Sequence, residues 1–175
     1  MAYTPRYRRT LELRNGNEVH VRPIQADDEP RLHEAFARMS ERSVYFRFLS
    51  PLKRLPEELA RRLAKVDHHN RLALVATTYR PDGHEHILGV ARYDRVSGTD
   101  VAEVAVAVVD EVQRQGLGSA LLGLLAQAAR EHGIQTFVLM VLPDNQSMMG
   151  LLRKLGWIHQ VRLNGSVYEI TFDLP

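Results

Sequence analysis

Between Leu72 and Val109 the chain carries three apolar runs of strand length, Leu72 to Tyr79, His86 to Asp94 and Val101 to Val109, divided by Pro81-Asp82-Gly83 and Ser97-Gly98-Thr99-Asp100. Runs of this length rich in valine, separated by turn-forming residues, predict a β-meander. A helical pattern follows the meander from near Gly116, with Leu121, Leu122, Leu125 and Ala128 inward as far as Glu131, and Gly133 stands where such a helix would stop.

The flanking segments complete an α+β plan. Thr10 to Arg14 and Glu18 to Arg22 alternate in polarity around Asn15-Gly16, which favours the positive φ angles of a tight hairpin. Ala26 to Met39 and Pro56 to Val66 carry apolar residues at helical spacing. Beyond Gly133, strand Thr136 to Leu142, helix Gln146 to Leu155 and strands Trp157 to Leu163 and Ser166 to Phe172 are expected, the last two around Asn164-Gly165. The order predicts a mixed, mostly antiparallel central sheet flanked by about four helices. At 175 residues with 45% hydrophobic content, residues 9–175 are expected to form one domain and residues 1–8 a flexible N-terminus.

Composition removes several classes of function. With no cysteine there is no disulfide framework, no thiolate nucleophile and no common structural zinc site. No apolar run reaches the roughly 18 residues of a membrane helix, and the start of the chain leads into charge, so a cytoplasmic protein without membrane contact is expected. The net charge of +2 does not argue for nucleic acid, and Arg6, Arg8 and Arg9 read as a frayed basic terminus. No metal is expected: in Asp67-His68-His69-Asn70 adjacent side chains diverge, and His84 and His86 flank a turn as solvated histidines.

The loop Gln113-Arg114-Gln115-Gly116-Leu117-Gly118 joins the third meander strand to the apolar helix. A diphosphate needs inward-pointing N–H groups and room for close approach, which a helix N-terminus preceded by glycine supplies. The plainer reading is a tight turn. The spacing is neither the Walker pattern nor the three-glycine dinucleotide fingerprint, which disfavours a nucleoside triphosphate or NAD.

On Gln113, Gly116 and Gly118 the sequence resembles the GNAT superfamily of N-acetyltransferases, with its Gln/Arg-x-x-Gly-x-Gly/Ala signature, and the likeness continues through Asn145 and Leu151 to Trp157. It implies acetyl-CoA as acyl donor, with Val106, Ala107 and Val108 pairing with the pantetheine arm. It also implies that Arg114, Gln115, Gly116, Leu117, Gly118 and Ser119 hold the pyrophosphate and that Asn145 touches the cofactor. A closer likeness is to bacterial protein lysine acetyltransferases of the Pat type, carried by Met39 to Phe48, Val90 to Tyr93, Ala102 to Val106, Asn145 and Met149. Those relatives usually fuse this domain to another large one, which leaves protein lysine, a small amine, and a non-catalytic acyl-CoA sensor as successive readings. A homodimer is compatible with this reading.

An acceptor amine must lose a proton, since at pH 7 only about one lysine in a few thousand is uncharged. Glu103 lies inside the apolar run Val101 to Val109, where burial would raise its pKa toward a useful value. It stands ten residues before Gln113, the spacing of the catalytic glutamate in Pat-type enzymes. A strand glutamate turned to water is the competing reading. Direct attack of the amine on the thioester is expected, with backbone N–H groups near Val108 holding the oxyanion. Many superfamily members protonate the thiolate with a tyrosine seven residues after the asparagine; that position is Leu152 here.

Overall fold

The structure, a computed structural model, describes residues 7–175. Of the terminus expected to be flexible, residues 1–6 lie outside the described residues, while the Tyr7 hydroxyl donates to Glu131 Oε2 at 2.8 Å.

Eight strands form one sheet: β1 (Arg9–Glu12), β2 (Glu18–Pro23), β3 (Arg71–Tyr79), β4 (Glu85–Arg95), β5 (Val101–Val108), β6 (Thr136–Val141), β7 (Gln160–Asn164) and β8 (Val167–Asp173). Their spatial order is β1-β2-β3-β4-β5-β6-β8-β7, and every neighbouring pair is antiparallel except β5 with β6. The helices are α1 (Glu29–Ala37), α2 (Glu41–Phe48), α3 (Glu57–Ala64), α4 (Leu117–Glu131) and α5 (Gln146–Leu155). The predicted hairpin forms at Asn15-Gly16, where Gly16 takes φ +87° and its N–H donates to Leu13 O.

Two helical expectations change. Five helices flank the sheet rather than about four, because Glu41–Phe48 is a helix as well. Only Val44 of α2 is buried, so no apolar stripe marks it; Ser40 Oγ starts it by accepting from Ser43 N–H, and Leu49 ends it at φ +56°. The stretch from Ala26 to Met39 divides into a 3₁₀ turn, Ala26–Asp28, and α1. Asp28 explains the division: it is fully buried, accepts from Gln25 N–H at 2.8 Å, and takes both terminal nitrogens of Arg22, at 2.8 and 2.7 Å. Glu85 joins Arg22 at 3.0 Å, tying the start of α1 to β2 and β4.

α4 packs on one face of the sheet with Leu121, Leu122 and Leu125 fully buried, each contributing about 2 kcal/mol of hydrophobic free energy. Its N-terminus lies unusually close to β4 because of Gly89: a Cβ there would stand 3.2 Å from Leu117 Cδ2 and 3.2 Å from Leu121 Cδ1. α1 packs on β4 and against α3. The position of the site follows from β5 and β6. They pair only from Val101↔Thr136 to Val104↔Leu139, and from Ala105 onward β5 has no ladder on that side.

Candidate active site

Where β5 and β6 part, a cleft of about 860 Å³ opens between Val104–Val108 on one wall and Leu139, Met140 and Val141 on the other. α2 and the N-termini of α4 and α5 close its ends. A backbone edge left unpaired inside a cleft offers N–H and C=O groups to an extended ligand, as a missing strand would use them. Val106, Ala107 and Val108 all lie on this edge, their other side paired with Ala91, Val90 and Gly89 of β4.

The predicted phosphate loop forms one end of the cleft. Gly116 takes φ +89° and Arg114 φ +63°, left-handed turns that reverse the chain and aim it into α4. The first intrahelical bond there is Ala120 N–H to Gly116 O, and no side chain among the described residues caps the first turn. The N–H groups of Leu117, Gly118 and Ser119 therefore face the cleft end without helical partners, at the positive end of the helix dipole. Leu117 is 1% exposed and anchors the turn in the core, so only its backbone can serve a ligand.

Gln113 lines the cleft as well. Its Nε2 donates to Val108 O at 2.9 Å and to Ser43 Oγ at 3.1 Å, so the side chain ties the loop to β5 and α2. Arg14, from the β1–β2 turn, braces the loop: its N–H donates to Gln115 O and its Nη1 to Arg114 O. Arg14 and Arg42 also line the cleft, and nothing local in the sequence marks them, since they reach it from 100 and about 70 residues away. With Arg47, Arg114 and Lys154 they make the lining cationic, suited to a ligand bearing several phosphates. Asn145 also lines the cleft and is 9% exposed; its Oδ1 accepts from Met148 N–H, capping α5 and leaving its amide NH₂ for a ligand.

Asp110 is the one carboxylate among the described cleft-lining residues. Burial pushes its carboxyl up, but bonds from Ser40 N–H and the hydroxyls of Ser40 and Ser43 outweigh this and hold it below the ordinary carboxylate range. It is a clasp on the start of α2. Ser40→Ala removes the α2 cap and is expected to lower stability by about 1 kcal/mol, read in urea unfolding; an unchanged midpoint would show that Asp110 alone starts the helix.

Glu103 is exposed, so the expected desolvated carboxylate is corrected. The apolar run misled because β5 alternates at this end: Ala102 and Val104 point into the core, and Glu103 points the other way. It sits one residue before the cleft wall, opposite Asp94 of β4 and Val138 of β6. Two like charges directly opposed on neighbouring strands cost stability, and Arg71 Nε compensates only Asp94, at 2.9 Å. Met140 and Glu169 continue the same open face, where Met140 is 41% exposed.

Beside the cleft, beneath α1, lies a smaller apolar cavity of about 60 Å³ into which two arginines reach. Burial lowers the Arg92 pKa to about 9, aided by the charge of Arg47, and burial lowers Arg47 to about 10 against the pull of Asp94. Arg92 Nη2 donates to Leu63 O, while its Nε has no hydrogen-bond partner. Leu152 is fully buried in α5 and offers no proton to a leaving group. Of the histidines read as solvated, His84 is exposed but His86 is only 4% exposed and meets Glu34 of α1. That correction reflects a contact spanning about fifty residues.

A family model described as Acetyltransferase (GNAT) family matches residues 33–157. The GNAT domain of S. lividans PAT, known from a crystal structure, is 34% identical with a TM-score of 0.91, covering 99% of this chain and 100% of that domain. Acetyltransferase Pat of Mycolicibacterium smegmatis is 30% identical over 166 residues, 94% of this chain and 48% of the relative. A cAMP-binding acyltransferase from Mycobacterium smegmatis superposes with a TM-score of 0.65 at 26% identity, over 96% of this chain and 47% of that one. The chain thus spans about half the length of these mycobacterial relatives. No helix among the described residues is long and apolar enough to cross a membrane.

Proposed function

Since the chain belongs to the GNAT family of acetyltransferases, we propose that it transfers the acetyl group of acetyl-CoA to the ε-amino group of lysines in other proteins, with Glu103 as general base. The observation that carries this reading is the cationic cleft with its unpaired β5 edge, beside which Glu103 stands exposed one residue before the cleft wall. The CoA diphosphate lies on the N–H groups of Leu117 to Ser119, and the pantetheine arm runs along Val106 to Val108 in place of a strand. This brings the thioester toward Val104 and Glu103.

The exposed Glu103 attracts a lysine ammonium and is open to a protein surface, whereas a small amine would need an enclosed pocket. Docking of the acceptor withdraws Glu103 from water, and Glu103 then takes the ammonium proton. The free amine attacks the thioester carbon, the tetrahedral oxyanion is held by N–H groups of the unpaired β5 edge just beyond Val104, and the C–S bond breaks to release CoA thiolate while the new amide nitrogen gives its extra proton to solvent. That thiolate, with a pKa near the ordinary thiol value of about 8.5, leaves without an obligatory acid, in keeping with Leu152.

The cavity with Arg47 and Arg92 favours a second reading, a small amine carrying an anionic group. Following free-thiol release from acetyl-CoA with purified chain against lysine-bearing proteins, peptides and small amines separates the two. Turnover on proteins or lysine peptides supports the first reading, turnover confined to a small amine replaces it with the second, and tight binding without turnover marks a sensor.

A further inference from the structure

Away from the cleft, α1, the β3–β4 turn and the start of β4 bring three metal-binding side chains together: Glu34, His84 and His86. His84 Nε2 stands 3.2 Å from Glu34 Oε1, and His86 Nδ1 stands 3.0 Å from Glu34 Oε2. We propose that these residues form a mononuclear site for a borderline divalent transition cation, Zn²⁺ foremost, bound by His84 Nε2, His86 Nδ1 and the Glu34 carboxylate.

The geometry of His86 carries the proposal. It is 4% exposed, and neither of its ring nitrogens makes a hydrogen bond; nor does Glu34 Oε2, although it is only 3.0 Å from Nδ1. The two atoms are close without pointing at each other, the relation of ligands whose lone pairs converge on a common centre. The two histidines approach different oxygens of the one carboxylate, and the three ligand atoms lie within 4.8 Å of one another, so rotation of the exposed His84 ring brings them toward the edges of about 3.3 Å of a tetrahedron with bonds of about 2.0–2.1 Å. Two imidazoles and one carboxylate form a donor set that suits zinc, and the exposed side of His84 leaves water as fourth ligand.

The ion would join α1 to β4. Leu32, Ala35 and Phe36 of α1 and Ile87 and Leu88 of β4 line the cavity that holds Arg47 and Arg92, so the clamp fixes one wall of that cavity. This inference stands apart from the acetyl-transfer reading, because it is tested by binding alone.

The test is titration of the chelator-treated chain with Zn²⁺ by calorimetry, and with Co²⁺ by visible absorption, for wild type, His84→Ala and Glu34→Gln. His84 is exposed, so its variant keeps the fold, checked by circular dichroism. The proposal expects one Zn²⁺ per chain, Co²⁺ absorption of tetrahedral intensity, and affinity weakened at least about 10-fold in both variants. No stoichiometric binding by the wild type, or binding unchanged in His84→Ala and Glu34→Gln, overturns it.

Discussion

Replacing Glu103 with glutamine is expected to lower kcat on a lysine-bearing acceptor by about 100-fold or more, the usual scale for loss of a general base, with acetyl-CoA affinity unchanged. The fold should not suffer, because Glu103 is exposed and stands directly opposite Asp94. Removing one of two opposed like charges leaves stability equal or slightly higher. This combination separates a chemical role from a structural one: a residue kept for packing would lose stability together with rate. A deficit that shrinks as pH rises and more free amine becomes available would add support, since the base is needed only to deprotonate. Normal turnover by a folded Glu103→Gln protein would remove Glu103 from the mechanism.

The second large effect is expected at Gly118. A Cβ there would meet Leu151 Cδ2 at 3.5 Å and Val108 Cγ2 at 4.0 Å, ordinary contacts, and its φ is not in the left-handed region, so the fold itself does not require glycine. Gly118→Asp places a carboxylate in the first turn of α4, where the helix dipole stabilises it by about 0.3–1 kcal/mol. The same carboxylate lies where the CoA diphosphate is proposed to bind. Repulsion and steric occupation should weaken acetyl-CoA binding by about 100-fold or more, some 2.7 kcal/mol. Stability maintained while binding is lost would locate the phosphates at this helix end. Gly116 offers no such clean test, because its φ of +89° makes any side chain there a backbone problem as well.

The sheet was legible wherever a signal is local. The meander, the Asn15-Gly16 turn and the helix beginning beyond Gly116 follow from periodicity and turn residues, and each occurs close to its expected bounds. α2 was not legible, because a helix held by a Ser40 cap and an Asp110 clasp, with Val44 its one buried residue, has no apolar stripe to read. Within the site, the glycine loop could be placed from its spacing. Arg14 and Arg42 could not, since only the tertiary fold brings the β1–β2 turn and α2 to the cleft. The apolar surroundings of Glu103 in sequence gave the wrong burial, because a strand presents alternate residues to opposite faces. Glu34 and His86 illustrate the same limit: their types are plain in the sequence, but the contact between them is made by packing α1 on β4.

The account rests on the N–H groups at the start of α4 receiving the diphosphate of coenzyme A, and calorimetric titration of acetyl-CoA into the purified chain tests this most directly. One saturable site per chain, weakening as salt screens the cationic lining, is the predicted result. A folded protein that gives no saturable heat with acetyl-CoA or any other CoA thioester would contradict it.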